Sequence, residues 1–230
     1  KISEDTKASL ILSKEQSFAE AATKACRAIV DEGLPSLFPD SPAEACYVVD
    51  DIIITSVSEH SGVVSVGDCN EEVNSTRFLN GAEVKDLYTG LVAVVDYKGH
   101  RFLAQSAVPG IIHMASANMM MWGSVDEGKS IFADDRVRPA MEALAKKLYW
   151  QPSTVSPQLP VNELPADTTE QDIPEAPAST QVHTDLKESF EFIGPVEGRV
   201  VRGADNKMYA VDFLHLAPID VAWQEAHEKL

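Results

Sequence analysis

At 230 residues and 25.0 kDa the chain is long enough for one domain with a sizeable core, or one domain plus a linker and a small addition. Its 44% hydrophobic content is ordinary, whereas a net charge of -17 and a pI near 4.6 are not. Such an acidic field repels phosphate backbones, which disfavours nonspecific binding to nucleic acid or to an anionic membrane; the basic positions Arg136, Arg138, Lys146 and Lys147 are scattered.

The first strong element is "KEQSFAEAATKACRAIVD" at 14–31. Phe18, Ala22, Cys26, Ile29 and Val30 recur there at helical spacing, and Gly33-Leu-Pro35 predicts the stop. "YVVDDIIITSV" at 47–57 is rich in β-branched residues and reads as a strand pair or one bent strand. Residues 58–90 mix short strand-like runs with a brief helical turn. The clearest hairpin is "GLVAVVDYKGHRFLAQSAVP" at 90–109, where Gly99 can supply the positive φ of a tight connection. Met119 to Trp122 form a short apolar strand, and a helix is expected over 135–149 with Asp134 as its N-cap. Val137, Met141, Leu144 and Leu148 would share one face of that helix, and Lys146 and Lys147 would suit its C-terminal end.

Residues 151–189 change character, with six prolines, no aromatic residue, and seven acids against one lysine. A stretch of that kind cannot bury enough apolar surface to offset its ordering, so it reads as an acidic, Pro-rich disordered linker or insertion. It carries about -6 of the charge and leaves about -11 on the rest. A second hairpin follows at 196–213, turning at Gly203-Ala-Asp-Asn206, and "APIDVAWQEAHEKL" predicts a short closing helix. The expected architecture is α+β, with antiparallel β-hairpins packed with flanking helices. Residues 1–150 form the first part of the domain, 151–189 the linker, and 190–230 the closing hairpin and helix.

Chemistry is sparse. Cys26, Cys46 and Cys69 are odd in number without C-x-x-C spacing, and read as reduced thiols of a cytosolic protein. The six histidines are dispersed, so no metal site is expected. Asp50-Asp51 and Asp134-Asp135 are neighbours that point to opposite faces of a strand, which suits solvated or capping residues better than an acid/base couple. Ser106 lacks a G-x-S-x-G elbow, His100 and His215 adjoin turns or strand ends, and kinase signatures are absent. No run of 18 apolar residues exists, so membrane insertion is not expected. The chain begins at Lys1 rather than Met, which suggests a segment of a larger protein.

One stretch argues for the opposite. "GSVDEGKS" at 123–130 satisfies G-x-x-x-x-G-K-[ST], the loop that cradles nucleotide phosphates, and would make Gly123, Gly128, Lys129 and Ser130 cofactor-binding residues of a nucleotide-binding enzyme. Such a loop works because a helix starts at its Gly-Lys-Ser end and aims backbone N–H groups at the phosphate. Here the capping signal comes several residues later, and Asp126 and Glu127 place like charge where a polyphosphate would sit. A glycine-containing turn between two strands fits better. The sequence therefore predicts no catalytic residue, no cofactor and no metal.

Three stretches in order carry a resemblance. "VVDYKGHRFLAQSAVPGI" (94–111), "MWGSVDEGKSI" (121–131) and "GRVVRGADNKMYAVDFLHLAPID" (198–220) are similar to consecutive motifs of the Clu domain of the clustered-mitochondria protein family. His215 stands where that family has Arg, Glu127 where an apolar or aromatic residue is usual, and the turn after the first helix reads Phe38-Pro39-Asp40. The resemblance implies a non-enzymatic module of a large cytoplasmic protein. Members of the family influence mitochondrial distribution, bind mRNAs for mitochondrial proteins and associate with translation machinery. The expected partners are other domains of the same protein, mRNA through the full-length protein, and translation initiation machinery or ribosomes. The acidic charge favours a scaffold or protein-contact role for this part. Were RNA to touch it, the contacts would be expected among the Arg and Lys residues near 98–101 or 136–147.

Overall fold

The computed structural model describes residues 3–41, 45–57, 66–111, 119–124, 130–156, 180–183, 189–213 and 216. The expected closing helix after 216 and His215 lie outside them, as do Gly128 and Lys129. Helices and largely antiparallel sheets make an α+β fold, as the sequence predicts.

Helix α1 spans Glu4–Glu32, beginning ten residues earlier than its apolar pattern indicates. The Ser3 hydroxyl accepts the Thr6 N–H at its start, and Gly33 ends it in the left-handed conformation (φ 67). Its first half buries little: Leu10, Ile11 and Leu12 are all about half exposed. No apolar stripe therefore marked that half, and the cap at Ser3 was the remaining signal. The second half buries Ala22, Ala25, Cys26 and Ile29 against the first sheet.

That sheet has four antiparallel strands in the order β1-β2-β5-β4, with β1 at Cys46–Val49, β2 at Ile52–Val57, β4 at Val92–Tyr97 and β5 at His100–Ser106. Strand alternation sends Ile52, Ile54, Val95, Phe102 and Ala104 toward α1. It sends Val57, Val92, Val94 and Leu103 to the opposite face. Each large side chain buried this way contributes about 2 kcal/mol. The β4–β5 hairpin turns through Lys98 and Gly99, both at positive φ (47 and 82), the twist a two-residue connection requires. Asp50 and Asp51 form the corresponding β1–β2 turn, with Asp50 at φ 52, and both are exposed. They belong to that turn and not to a strand, which corrects the sequence reading.

On the far face of the first sheet lies α2, Val66–Ala82, a 17-residue helix where short strand-like runs and one helical turn were expected. Its inward positions are Cys69, Glu72, Ser75, Leu79 and Ala82, so its helical spacing is carried by small and polar residues. Cys69 packs on the first sheet, while Leu79 and Ala82 enter the core of the second.

The second sheet runs β3-β12-β11-β6-β7-β9. Its members are β3 (Leu87–Thr89), β6 (Met120–Gly123), β7 (Ile131–Asp134), β9 (Thr180–His183), β11 (Arg199–Arg202) and β12 (Met208–Val211). Among the described strands, β3 and β12 make the one parallel pair. Trp122, Ile131, Ala133, Val200 and Ala210 face α3 (Arg138–Leu148), which contributes Met141, Leu144 and Ala145. Met120, Phe132 and Val201 face outward beneath Val108 and Ile111.

Two boundaries differ from expectation. Asp134 does not cap α3; the helix starts later, behind Val137, with Pro139 in its first turn. Asp134 instead ends β7 fully buried, accepting the Arg136 backbone N–H at 2.8 Å and pairing with its guanidinium. At the two ends of the stretch 151–189, β8 (Ser153–Val155) pairs with β10 (Phe190–Phe192), and β9 pairs with β7. Ser153–Val155 and Thr180–His183 are strands, so 151–189 is not, as its composition suggested, without secondary structure throughout.

Candidate functional site

Gly123 closes β6 opposite Phe132, and Ser130 runs straight into β7, the antiparallel neighbour of β6. The helix that follows begins only at Arg138. Ser130 thus leads into a strand, and the helix N-terminus that a phosphate loop aims at its ligand is not at this position. Ser124 and Ser130 are both buried, and the Ser124 N–H donates to the Val196 carbonyl at 2.8 Å.

Gly123 sits at φ +94, where a Cβ would lie 2.2 Å from the Gly198 carbonyl oxygen. Gly198 in turn has the Phe213 ring against it, 2.8 Å from where its own Cβ would be. The glycines of "MWGS" and "EGRV" are therefore a backbone-to-backbone contact between β6 and β11. A second pair of motifs meets the same way. The Ala204 N–H donates to the Pro109 carbonyl at 2.7 Å, and a Cβ on Gly110 would lie 2.7 Å from the Ala204 methyl. In the first hairpin Arg101 makes two 2.7 Å bonds to Asp96 across the ladder. Beside it the Tyr97 hydroxyl (2.8 Å) and the Lys98 ammonium (2.6 Å) both donate to Asp31 near the end of α1.

Two polar groups stand out, one beside each sheet. Gln105 of β5 donates to the Glu72 carboxyl of α2 at 3.0 Å. Arg199 of β11 donates through Nε to the Ser124 carbonyl at 2.9 Å and pairs with Asp212 at 3.0 Å. Asp212 follows β12 at φ 55, an uncommon conformation for a residue with a side chain. Burial pushes the Glu72 carboxyl up from 4.5 to about 7; the charge of Asp212 adds to the rise, and the Gln105 bond opposes it. Burial raises Asp212 as well, against the pull of Arg199. A third of the Asp212 side chain still reaches solvent, which moderates that effect.

The thiols are poor nucleophiles: burial pushes both Cys26 and Cys69 up to about 11, and raises Cys46. Among the described residues no group of three His, Cys, Asp or Glu side chains is placed to hold a metal, and no helix is long and apolar enough to cross a membrane. Gln105, Arg199 and Asp212 lie inside the sequence motifs, but neither they nor Glu72 were singled out as site residues, because "DCNEEVN" reads as a solvated helix face and the motif residues read as ordinary strand positions.

Comparison with known proteins agrees with the family resemblance. A clustered mitochondria protein of Arabidopsis thaliana is 28% identical over 151 residues, covering 66% of this chain and 9% of its own length. The human clustered mitochondria protein homolog is 25% identical over 213 residues, covering 89% of this chain and 14% of its own. The homolog from Phaeosphaeria nodorum is 31% identical over 176 residues, 75% of this chain and 11% of its own. The chain thus spans about a tenth of the length of the curated relatives it matches. No solved structure matches it. The family model described as "CLU: Clustered mitochondria" matches residues 2–223, nearly the whole chain, and the protein belongs to that family.

Proposed function

We propose that this chain is a non-enzymatic scaffold and protein-contact module of a clustered-mitochondria-type protein that acts in mitochondrial distribution. In this reading the messages for mitochondrial proteins are bound by the full-length protein, in the cytoplasm and alongside translation machinery, and this module supplies the framework. What supports it is the use made of the cations where RNA contact would be expected. Lys98 pairs with Asp31, Arg101 with Asp96, Arg136 with Asp134 and Arg138 with Asp135. Lys147 donates to the Ala82 carbonyl at the end of α2. Cations neutralised within the fold offer little counterion release to a phosphate chain.

Two measurements test this. Ultraviolet crosslinking of the 230-residue chain to single-stranded RNA at about 50 mM salt should yield no adduct, while the full-length protein crosslinks; a strong adduct on the chain alone overturns the scaffold assignment. Thermal melting with millimolar ATP and Mg²⁺ should leave Tm unchanged, and Lys129→Ala in the full-length protein should leave mitochondria normally distributed. An ATP-dependent rise in Tm that Lys129→Ala abolishes would instead establish a nucleotide site.

A further inference from the structure

We propose that the last turn of α2, with the parts of α1, β3 and α3 gathered around it, is a docking surface for an acidic amphipathic helix of a partner protein. The proposal rests on the protein-contact reading above and gives that contact a place in the fold.

Three elements converge on the chain between Asn80 and Glu83. Thr89 of β3 donates through its hydroxyl to the Asn80 side-chain oxygen at 2.7 Å. Lys147, in the last turn of α3, donates to the Ala82 carbonyl. Lys7, near the start of α1, pairs with Glu83 at 2.6 Å. Each brings large apolar side chains that the fold leaves exposed. Tyr88 is the neighbour of Thr89, Tyr149 follows shortly after Lys147, and Leu10, Ile11 and Leu12 lie on the turn after Lys7. Phe78, also exposed, is one turn before Ala82 on α2 itself. Six of the nine large apolar side chains exposed among the described residues are therefore tethered to one turn of chain. Scattered exposed hydrophobics carry no meaning, but a gathered set marks an interaction site.

Two of these elements are left without support from the fold. Tyr149 is 88% exposed and holds a left-handed backbone (φ 59), a conformation that glycine or asparagine adopts more easily. The strain there is accepted although the ring packs on almost nothing. Helix α1 is exposed at every position from 5 to 17. A helix of that length packed on nothing is marginal in water, and Thr6, Ser9, Ser13 and Ser17 add little propensity. A helix laid along it supplies the packing that is missing.

Charge selects the partner. Segments 5–14, 77–89 and 146–149 carry six cations (Lys7, Lys14, Arg77, Lys85, Lys146 and Lys147) and three acids (Asp5, Glu83 and Asp86), on a chain whose net charge is -17. This is a locally positive rim on an acidic molecule, complementary to acidic side chains flanking an apolar helix face. A second copy using the same surface would set like charge against like. A nucleic acid would meet the cations, but Leu10, Ile11 and Leu12 offer nothing to a phosphate chain and suit the apolar face of a helix.

Fluorescence anisotropy with the 230-residue chain tests the surface. The probe is a labelled peptide of about 18 residues with leucines at i, i+3, i+4 and i+7 spacing and glutamate and alanine elsewhere; the same peptide with glutamine for glutamate is the control. At about 50 mM salt the acidic peptide should bind about fivefold tighter than the glutamine peptide. Leu10→Ser, Tyr149→Asn and the pair Lys85→Glu with Lys146→Glu should each weaken it about fivefold or more, and Leu37→Ser, exposed beside β1, should not. These side chains are exposed, so the variants should melt within about two degrees of the wild type. Amides of 5–17 should exchange more slowly when the acidic peptide is bound. No binding at about 1 mM peptide, equal binding of the two peptides, or variants that bind like the wild type overturns the surface and leaves the scaffold reading standing. Single-stranded RNA that binds the wild type and is lost in these same variants overturns both.

Discussion

Gly123→Ala is expected to destabilise the protein by about 3 kcal/mol or more, read as a lowered urea midpoint at unchanged slope. Two costs add at this position. The residue lies at φ +94, which side chains rarely adopt, and the new methyl would sit 2.2 Å from the Gly198 carbonyl oxygen. The obstacle is backbone, and it is pinned from behind by the buried Phe213 ring, so it cannot give way as a flexible side chain would. Gly99→Ala is the matched control. It also has positive φ (82), but a Cβ there meets nothing within 4 Å, so it should lose only about 1 kcal/mol. Equal losses at the two sites would mean that β6 and β11 do not approach as closely as the geometry has them.

Trp122→Ala should cost about 3–5 kcal/mol, a large part of the stability of an ordinary domain. The ring is wholly buried, stacks on Phe192 at 4.8 Å between centroids, and lies under the Arg138 guanidinium at 5.6 Å. Its indole N–H donates to the Ile193 carbonyl at 3.2 Å, so truncation removes both volume and a hydrogen bond. Trp122→Phe keeps most of the apolar contact and should recover more than half of the loss, while the carbonyl still lacks its donor. Calorimetry or denaturant titration of the two variants measures the difference. A near-neutral Trp122→Ala would sink the placement of this ring at the centre of the second core.

Together these residues show what the two described ends of the NTPase-like pattern do in the fold. In "GSVDEGKS" the first glycine makes room for the Gly198 carbonyl just ahead of β11, and the last serine leads into β7. Both ends of the pattern are spent on the sheet.

The sequence by itself determined the elements whose signals are local. Hairpin β4–β5 was legible because Gly99 marks the turn and β-branched runs flank it; β11–β12 was legible through its Gly203–Asn206 turn. The second half of α1 and most of α3 were legible from apolar residues at helical spacing. So were the family motifs, which need only order along the chain. Tertiary structure alone decided what those motifs touch: Gly123 against Gly198, Gly110 against Ala204, and Arg199 between Ser124 and Asp212. It also decided α2, where buried Cys69, Glu72 and Ser75 interrupt any apolar stripe ahead of Leu79 and Ala82. A carboxyl such as Glu72 reads as solvated until the chain is folded over it. Periodicity reports which residues avoid water, and it is silent about polar residues that are buried because a partner distant in sequence, here Gln105, satisfies them.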